Sequence, residues 1–326
     1  MGYRAVLCTR LDGPDALEIQ IQEPAPLGPN EVRLRVRAAG LNFPDLLMTR
    51  GGYQFRPDLP FVPGMESAGD VVEIGSAVTS VAVGDRVIAP LRLGAFAEQA
   101  VAQEAAIIPL PDQFDYAEGA AWYISATTAW HALHEKANIQ PGETLLVLGA
   151  GGGVGMAAVQ LGKHKGANVI GFASTAEKAA AIRSVGADAC FLNDQPDLID
   201  AIKAATGGKG VDVVYDPVGG PLAITATRTL GWGGRYLIVG FASGEIPSFP
   251  ANHALIKGYS IMGLRAGEAT RRDPALAVRT AQVLRDLAAQ GAMRPHISHR
   301  FALDEAAKAL NAMDQRQIIG RAVILP

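Results

Sequence analysis

Leu145-Leu146-Val147-Leu148-Gly149-Ala150-Gly151-Gly152-Gly153-Val154-Gly155-Met156 is the stretch that decides the fold. A short apolar run ends in clustered glycines, and the chain continues with helical character to about Lys165. A strand that turns sharply into a helix, admits a pyrophosphate to hydrogen-bond distance of its backbone and packs that helix tightly must give up side chains at several positions. The helix start then offers unpaired N–H groups and a positive dipole end to the anion. A lone Gly-x-Gly-x-x-Gly also fits a structural glycine loop. Here a strand precedes it, a helix follows, and a second apolar run at 168–173 comes within about thirty residues, which is the setting of a dinucleotide site with Gly152, Gly153 and Val154 at the turn.

The end of the second run selects the dinucleotide. An NAD site places a carboxylate there for the ribose 2′-OH. This chain reads Phe172-Ala173-Ser174-Thr175-Ala176-Glu177-Lys178. Ser174 can donate to a 2′-phosphate and Lys178 can pair with it, so the reading is NADPH. Glu177 competes, although a glutamate in a first helical turn is ordinary.

Working outward, apolar runs at 144–148, 168–173, 211–215 and 235–239 alternate with helical stretches at 154–165 and 175–185, the pattern of a parallel sheet covered on both faces. Toward the N-terminus the chain is instead short strands punctuated by Gly and Pro, with Val32, Leu34 and Val36 alternating against Arg33, Arg35 and Arg37. The fold class is α/β: a doubly wound Rossmann domain at 125–265, and a β-rich, partly barrel-like domain from 1–124 and 266–326. Helices are also expected at 116–135, at 274–290 and at 304–315 with Asp304 as N-cap. Trp122, Trp130 and Trp232 read as packing residues.

Composition narrows the functional classes. The chain has 326 residues, 49% hydrophobic and 19% charged, with formal charge −3. That balance offers no basic field for nucleic acid. The uncharged segment 144–162 tempts as a membrane span but holds a central glycine cluster, and the N-terminus shows no signal-peptide layout. Cys8 and Cys190 are the only cysteines, too few for a four-cysteine zinc site or a disulfide framework, and they suggest a reducing, cytoplasmic setting.

Further motifs are Gly40-Leu41-Asn42-Phe43-Pro44-Asp45, Leu59-Pro60-Phe61-Val62-Pro63-Gly64-Met65-Glu66, Val83-Gly84-Asp85-Arg86-Val87, Gly207-Gly208-Lys209-Gly210-Val211-Asp212-Val213-Val214-Tyr215-Asp216 and Gly240-Phe241-Ala242-Ser243-Gly244. With the glycine turn, they make the chain resemble, from end to end, the zinc-free medium-chain dehydrogenases/reductases of the NADPH:quinone oxidoreductase group that includes zeta-crystallin. The resemblance implies a GroES-like catalytic domain beside the Rossmann domain, a metal-free hydride transfer to a quinone, and a homodimer joined through an edge strand at 259–264. Zinc-dependent relatives hold their catalytic metal with a Cys and a His at the positions of Asn42 and Met65, neither of which replaces its ligand. His131 and His134 share a helix face but lack a third ligand, and read as ordinary packing histidines. Without a Lewis acid, reduction of an electron-poor acceptor is easier than alcohol oxidation.

The resemblance also supplies site residues, each with a plainer reading. Asn42 orients the cofactor or donates to an acceptor oxygen, or it is an Asn in a left-handed turn. Asp45 belongs to the same motif or simply ties a loop. Tyr53 donates to, or stacks on, the acceptor. Leu47 stands where several relatives carry a second Tyr, which makes the acceptor pocket more apolar. Thr128 lies near the nicotinamide or bonds its own helix. Asn193 stands where some relatives carry a Tyr that packs on the 2′-phosphate, which counts slightly against NADPH. Gly240, Phe241 and Ser243 hold the nicotinamide end, or Phe241 is core. Arg321 reaches the 2′-phosphate or is solvated. Two other functions stay open: a reductase of enones or acyl thioesters, for which Arg271 and Arg272 suggest a phosphate groove, and a non-enzymatic NADPH-dependent binder.

Overall fold

The computed structural model describes residues 2–326. The chain divides into two units, one running to Ile124 and resuming at Pro295–Pro326, the other Ser125–Arg294. The return therefore falls at 294/295 and not at 266.

The first unit contains β1 (Tyr3–Cys8), β2 (Leu17–Gln22), β3 (Glu31–Gly40), α1 (Phe43–Thr49), β4 (Glu66–Ile74), β5 (Arg86–Pro90), β6 (Gln99–Gln103) and β7 (Ile108–Pro109). The chain passes to the second unit within α2 (Tyr116–Trp130). β3 is the organising strand: it pairs antiparallel with β4 along its length and with β6 over its first half. Val32, Leu34 and Val36 are buried as the alternation predicts, but Arg33 is buried too. It is accommodated by donating to Glu73 at 2.7 Å and to the Ala25 carbonyl.

The second unit runs β8 (Thr144–Val147), α3 (Gly153–His164), β9 (Asn168–Ala173), α4 (Ala176–Ser184), β10 (Ala189–Leu192), α5 (Leu198–Ala205), β11 (Val211–Asp216), α6 (Gly220–Thr229), β12 (Leu230–Ile238), α7 (Ala251–Lys257), β13 (Ser260–Gly263), α8 (Ala266–Arg272) and α9 (Pro274–Ala289). Its strands are all parallel in the order β10-β9-β8-β11-β12-β13, so the direction of winding reverses between β8 and β11. Ligands of such sheets bind at this reversal, beyond the carboxyl ends of the strands. Leu145, Leu146, Val147, Val213, Val214, Tyr236 and Leu237 are fully buried, as strands covered on both faces require.

The chain then rejoins the first unit with β14 (Ile297–Ala302), α10 (Ala306–Asp314) and β15 (Arg321–Leu325), and β15 pairs with the end of β3. Two local expectations are corrected, and a third, the helix at 116–135, is met with a change of winding. Asp304 does not cap α10: it lies in a 3-10 turn, and Glu305 reaches back to the Ala302 N–H at 3.0 Å. Trp232 is 83% exposed, not packed inside, because it sits among Gly231, Gly233 and Gly234 where the pairing of β12 slips. The 116–135 helix changes at Trp130 into a π turn, His131–Lys136.

Candidate functional site

In the second unit, β8 ends at Val147 and the chain turns with Gly149 at φ +54°, a conformation that favours glycine. A Cβ on Gly155 would collide with the Gly149 carbonyl oxygen and come 2.8 Å from the Ala150 Cα, so only glycine lets α3 sit this close to the strand. Gly152 is the N-cap of α3, with no side chain on its first-turn N–H groups. That is a cradle fitted to a pyrophosphate. Gly152, Gly153 and Val154 thus stand together at the helix start.

Ser174 is exposed at the end of β9, and Thr175 caps α4 by accepting from the Lys178 N–H at 3.2 Å. The aliphatic stem of Lys178 lies 3.2–3.3 Å from where a Cβ on Gly151 would stand, which sets this lysine over the glycine turn. The Asn193 N–H donates to the Ala173 carbonyl at 2.9 Å, joining it to the same strand end. Ser174, Lys178, Asn193 and the glycine turn are therefore neighbours, and Glu177 is exposed on the first turn of α4.

Gly240, Phe241 and Ser243 form a turn beyond β12. It is laced to the turn beyond β11: Gly240 N–H donates to the Asp216 carbonyl at 3.3 Å, Ala242 N–H to Pro217 at 3.0 Å and Ser243 N–H to Val218 at 2.9 Å. Phe241 is half-buried, not core, and lies against Gly219. Thr128 is half-buried on α2. His131 is buried, which depresses its basicity, and the His134 ring stacks on Trp130 at 4.2 Å. Both histidines pack as expected.

The first unit holds a buried polar knot. Asn42 is the N-cap of α1 with φ −126° and ψ 147°, extended backbone and not a left-handed turn. Its Nδ2 donates to Glu66 Oε1 at 3.1 Å and its Oδ1 accepts from Arg321 Nη1 at 2.9 Å. Arg321 Nη2 bonds the same Glu66 oxygen, and the Ile124 N–H donates to the other at 3.0 Å. Arg321 is 6% exposed, so it is not solvated. Asn42 also shares a capping box with Asp45 at the start of α1, and its Nδ2 reaches the Gly40 carbonyl at 3.4 Å, so no strong donor is left in reserve. Asp45 accepts from the N–H groups of Asn42 at 2.9 Å and Gly64 at 3.1 Å. Complete burial outweighs these bonds and pushes its carboxyl up to about 7, with Glu66 adding to the rise and Arg321 opposing it. Burial likewise raises Glu66, opposed first by Arg321.

Tyr53 lies outside this knot. It is half-buried against an apolar cluster of Cys8, Met48 and Phe61 that also includes Phe55, Met65 and Leu93. Sequence reasoning passed over Glu66 as the hub of the knot; the only available signal was an acid inside an otherwise small and apolar run. The donor set does not fit a zinc ion. Glu66 already accepts from Arg321, Asn42 and Ile124, Met65 belongs to an apolar cluster, and among the described residues no group of three or more His, Cys, Asp or Glu is placed to hold a metal.

Comparison with known proteins completes the picture. Residues 28–112 match the alcohol dehydrogenase GroES-like domain and residues 153–281 the zinc-binding dehydrogenase domain. A quinone oxidoreductase-like protein 2 homolog from Nematostella vectensis is 39% identical over 99% of this chain and 88% of its own length. The chain belongs to the medium-chain dehydrogenase/reductase family. Within it, a quinone oxidoreductase from Pseudomonas aeruginosa is 36% identical over 96% of this chain and 97% of its own. The crystal structure of an Escherichia coli quinone oxidoreductase complexed with NADPH superposes with a TM-score of 0.92 at 28% identity, covering 99% of this chain and all of that one. The family uses a nicotinamide cofactor, for which the glycine turn provides the cradle, and its GroES-like and Rossmann folds are both present here.

Proposed function

We propose that this chain is an NADPH-dependent, metal-independent reductase of quinones. The observation that carries the reading is the region after β9, where Ser174 and Lys178 stand beside the glycine turn in the place where an NAD site keeps a carboxylate. The names of the Nematostella and Pseudomonas relatives and the NADPH complex of the Escherichia coli protein support it. When bound, NADPH supplies a hydride.

The chain's own residues bind and orient. The first-turn N–H groups of α3 at Gly153 and Val154 hold the pyrophosphate, and Ser174 and Lys178 hold the 2′-phosphate. Gly240 and Ser243 fix the nicotinamide end through backbone groups, with Phe241 beside it and Thr128 nearby. Tyr53 donates from its hydroxyl to the acceptor oxygen as negative charge develops there. Asn42, its amide locked by Glu66 and Arg321, fixes the N-terminus of α1 together with Asp45 beside the nicotinamide end. Arg321, tied to Glu66 and Asn42, serves in this reading as a holder of Asn42 and not as a ligand of the 2′-phosphate.

The thioester alternative draws no support from Arg271 and Arg272, since both are paired with Glu268 at 2.7 and 2.8 Å. A homodimer is supported by the open outer edge of β13 and the exposed Ile261, Leu255 and Ile256 around it. Among the described residues no helix is long and apolar enough to cross a membrane, and a cytoplasmic setting fits the free thiols of Cys8 and Cys190. The test is oxidation of NADPH by chelator-treated protein with a naphthoquinone and, in parallel, a simple enone. Quinone-dependent consumption is expected. Enone turnover alone would move the substrate class, and cofactor binding with neither acceptor consumed would favour a binder.

A further inference from the structure

The turn beyond β12 is fastened to the turn beyond β11 by backbone bonds, and the turn beyond β11 is itself held by one buried side chain. Asp216 ends β11 at the reversal of the sheet and is 1% exposed. Its Oδ1 accepts from the N–H groups of Val218 at 2.7 Å and Gly219 at 2.9 Å. Its Oδ2 accepts from the hydroxyl of Tyr236, on the neighbouring strand β12, at 2.6 Å. Tyr236 is itself fully buried and braced by the Phe249 ring at 5.1 Å. The peptide N–H groups of Val239 and Gly240 return to the Asp216 carbonyl, and Gly220 N–H donates to Glu245 at 3.0 Å, closing the loop pair at its far end. Val218, held in this way, also abuts Gly149, where a Cβ would stand 2.7 Å from its Cγ2.

A buried carboxylate is tolerated only where its lone pairs are satisfied, and hydrogen bonds to a charged group are stronger than those between neutral partners. A valine–valine contact would have joined β11 to β12 with no such demand. We propose that Asp216 and Tyr236 form a clasp that positions the 239–245 turn for the nicotinamide half of the cofactor, making both of them positioning residues. This rests on the cofactor reading above. The clasp, on β11 and β12, stands apart from Ser174 and Lys178, which lie just after β9 and in the first turn of α4. Loosening it should therefore affect the two halves of the dinucleotide unequally, a split that a purely structural role would not produce.

The test compares binding of NADPH and of adenosine 2′,5′-bisphosphate, which carries only the adenosine half, by calorimetry on the full chain. Tyr236→Phe removes one donor and keeps the ring. It should weaken NADPH by about tenfold and leave the bisphosphate unchanged. Asp216→Asn keeps an acceptor for Val218 and Gly219 and an amide that Tyr236 can accept from, so it should lie between Tyr236→Phe and wild type. This variant carries the test if Tyr236→Phe unfolds early. Unchanged affinity for both ligands would overturn the proposal, as would equal weakening of both, which marks general loss of packing. A wild-type chain that binds neither ligand would overturn the cofactor reading itself, an outcome distinct from either.

Discussion

The glycine turn of the second unit and the buried knot of the first use opposite chemistry. The turn acts by removing side chains: Gly149, Gly152 and Gly155 expose backbone N–H groups and let α3 approach β8. The knot acts by burying them: Asn42, Glu66 and Arg321 sit on three elements far apart in sequence and satisfy one another. A missing Cβ leaves its mark in the local sequence. A contact between residues hundreds of positions apart does not, and the lesson is that a backbone site can be read before folding while a side-chain network cannot.

The largest expected effect strikes the knot. Arg321→Met would leave Glu66 buried without its cation, which costs about 3–5 kcal/mol. Adding Glu66→Gln should recover part of that loss, because the two substitutions are coupled. Urea unfolding of both variants checks this, and additive losses would break the contrast by showing that the pair is incidental.

Asp45 sharpens the comparison through pH. Its carboxyl is raised from an ordinary 3.8 to about 7 in the folded chain. The folded state therefore holds a proton that the unfolded state has released. This contribution to stability is complete below the unfolded value and is lost as pH rises through about 7. The raised Glu66 acts in the same direction. Asp45→Asn should flatten this part of the stability profile, and parallel profiles for variant and wild type would contradict it.

The turn is expected to be less costly to stability and more costly to binding. Gly155→Ala forces the Cβ against Gly149, an overpacking of about 1–3 kcal/mol, and should abolish detectable NADPH binding by displacing the helix start. Smallest of all, Lys178→Met should weaken NADPH by about tenfold with NADH unaffected, as expected for loss of one charge pairing with a phosphate.

Much of the second unit was legible. The alternation of apolar runs and helices announces the parallel sheet, and Ser174 directly follows β9 while Glu177 and Lys178 stand in the first turn of α4, as expected. The misses have a common cause. Trp232 reads as a packing residue from its type alone, yet its exposed place is set by the glycines around it and the slip in β12. The return lies at 295 and not at 266 because α8 and α9, which carry no composition boundary, stay with the second unit. Arg321 read as a surface residue or a phosphate ligand, since nothing near it in sequence announces Glu66 as its partner.

The most direct test of the account is the ratio of NADPH to NADH dissociation constants for the wild-type chain, measured side by side by fluorescence titration. Recognition by Ser174 and Lys178 predicts NADPH tighter by about tenfold or more. Equal affinities, or tighter NADH, would contradict it and make Glu177 the residue that reads the ribose.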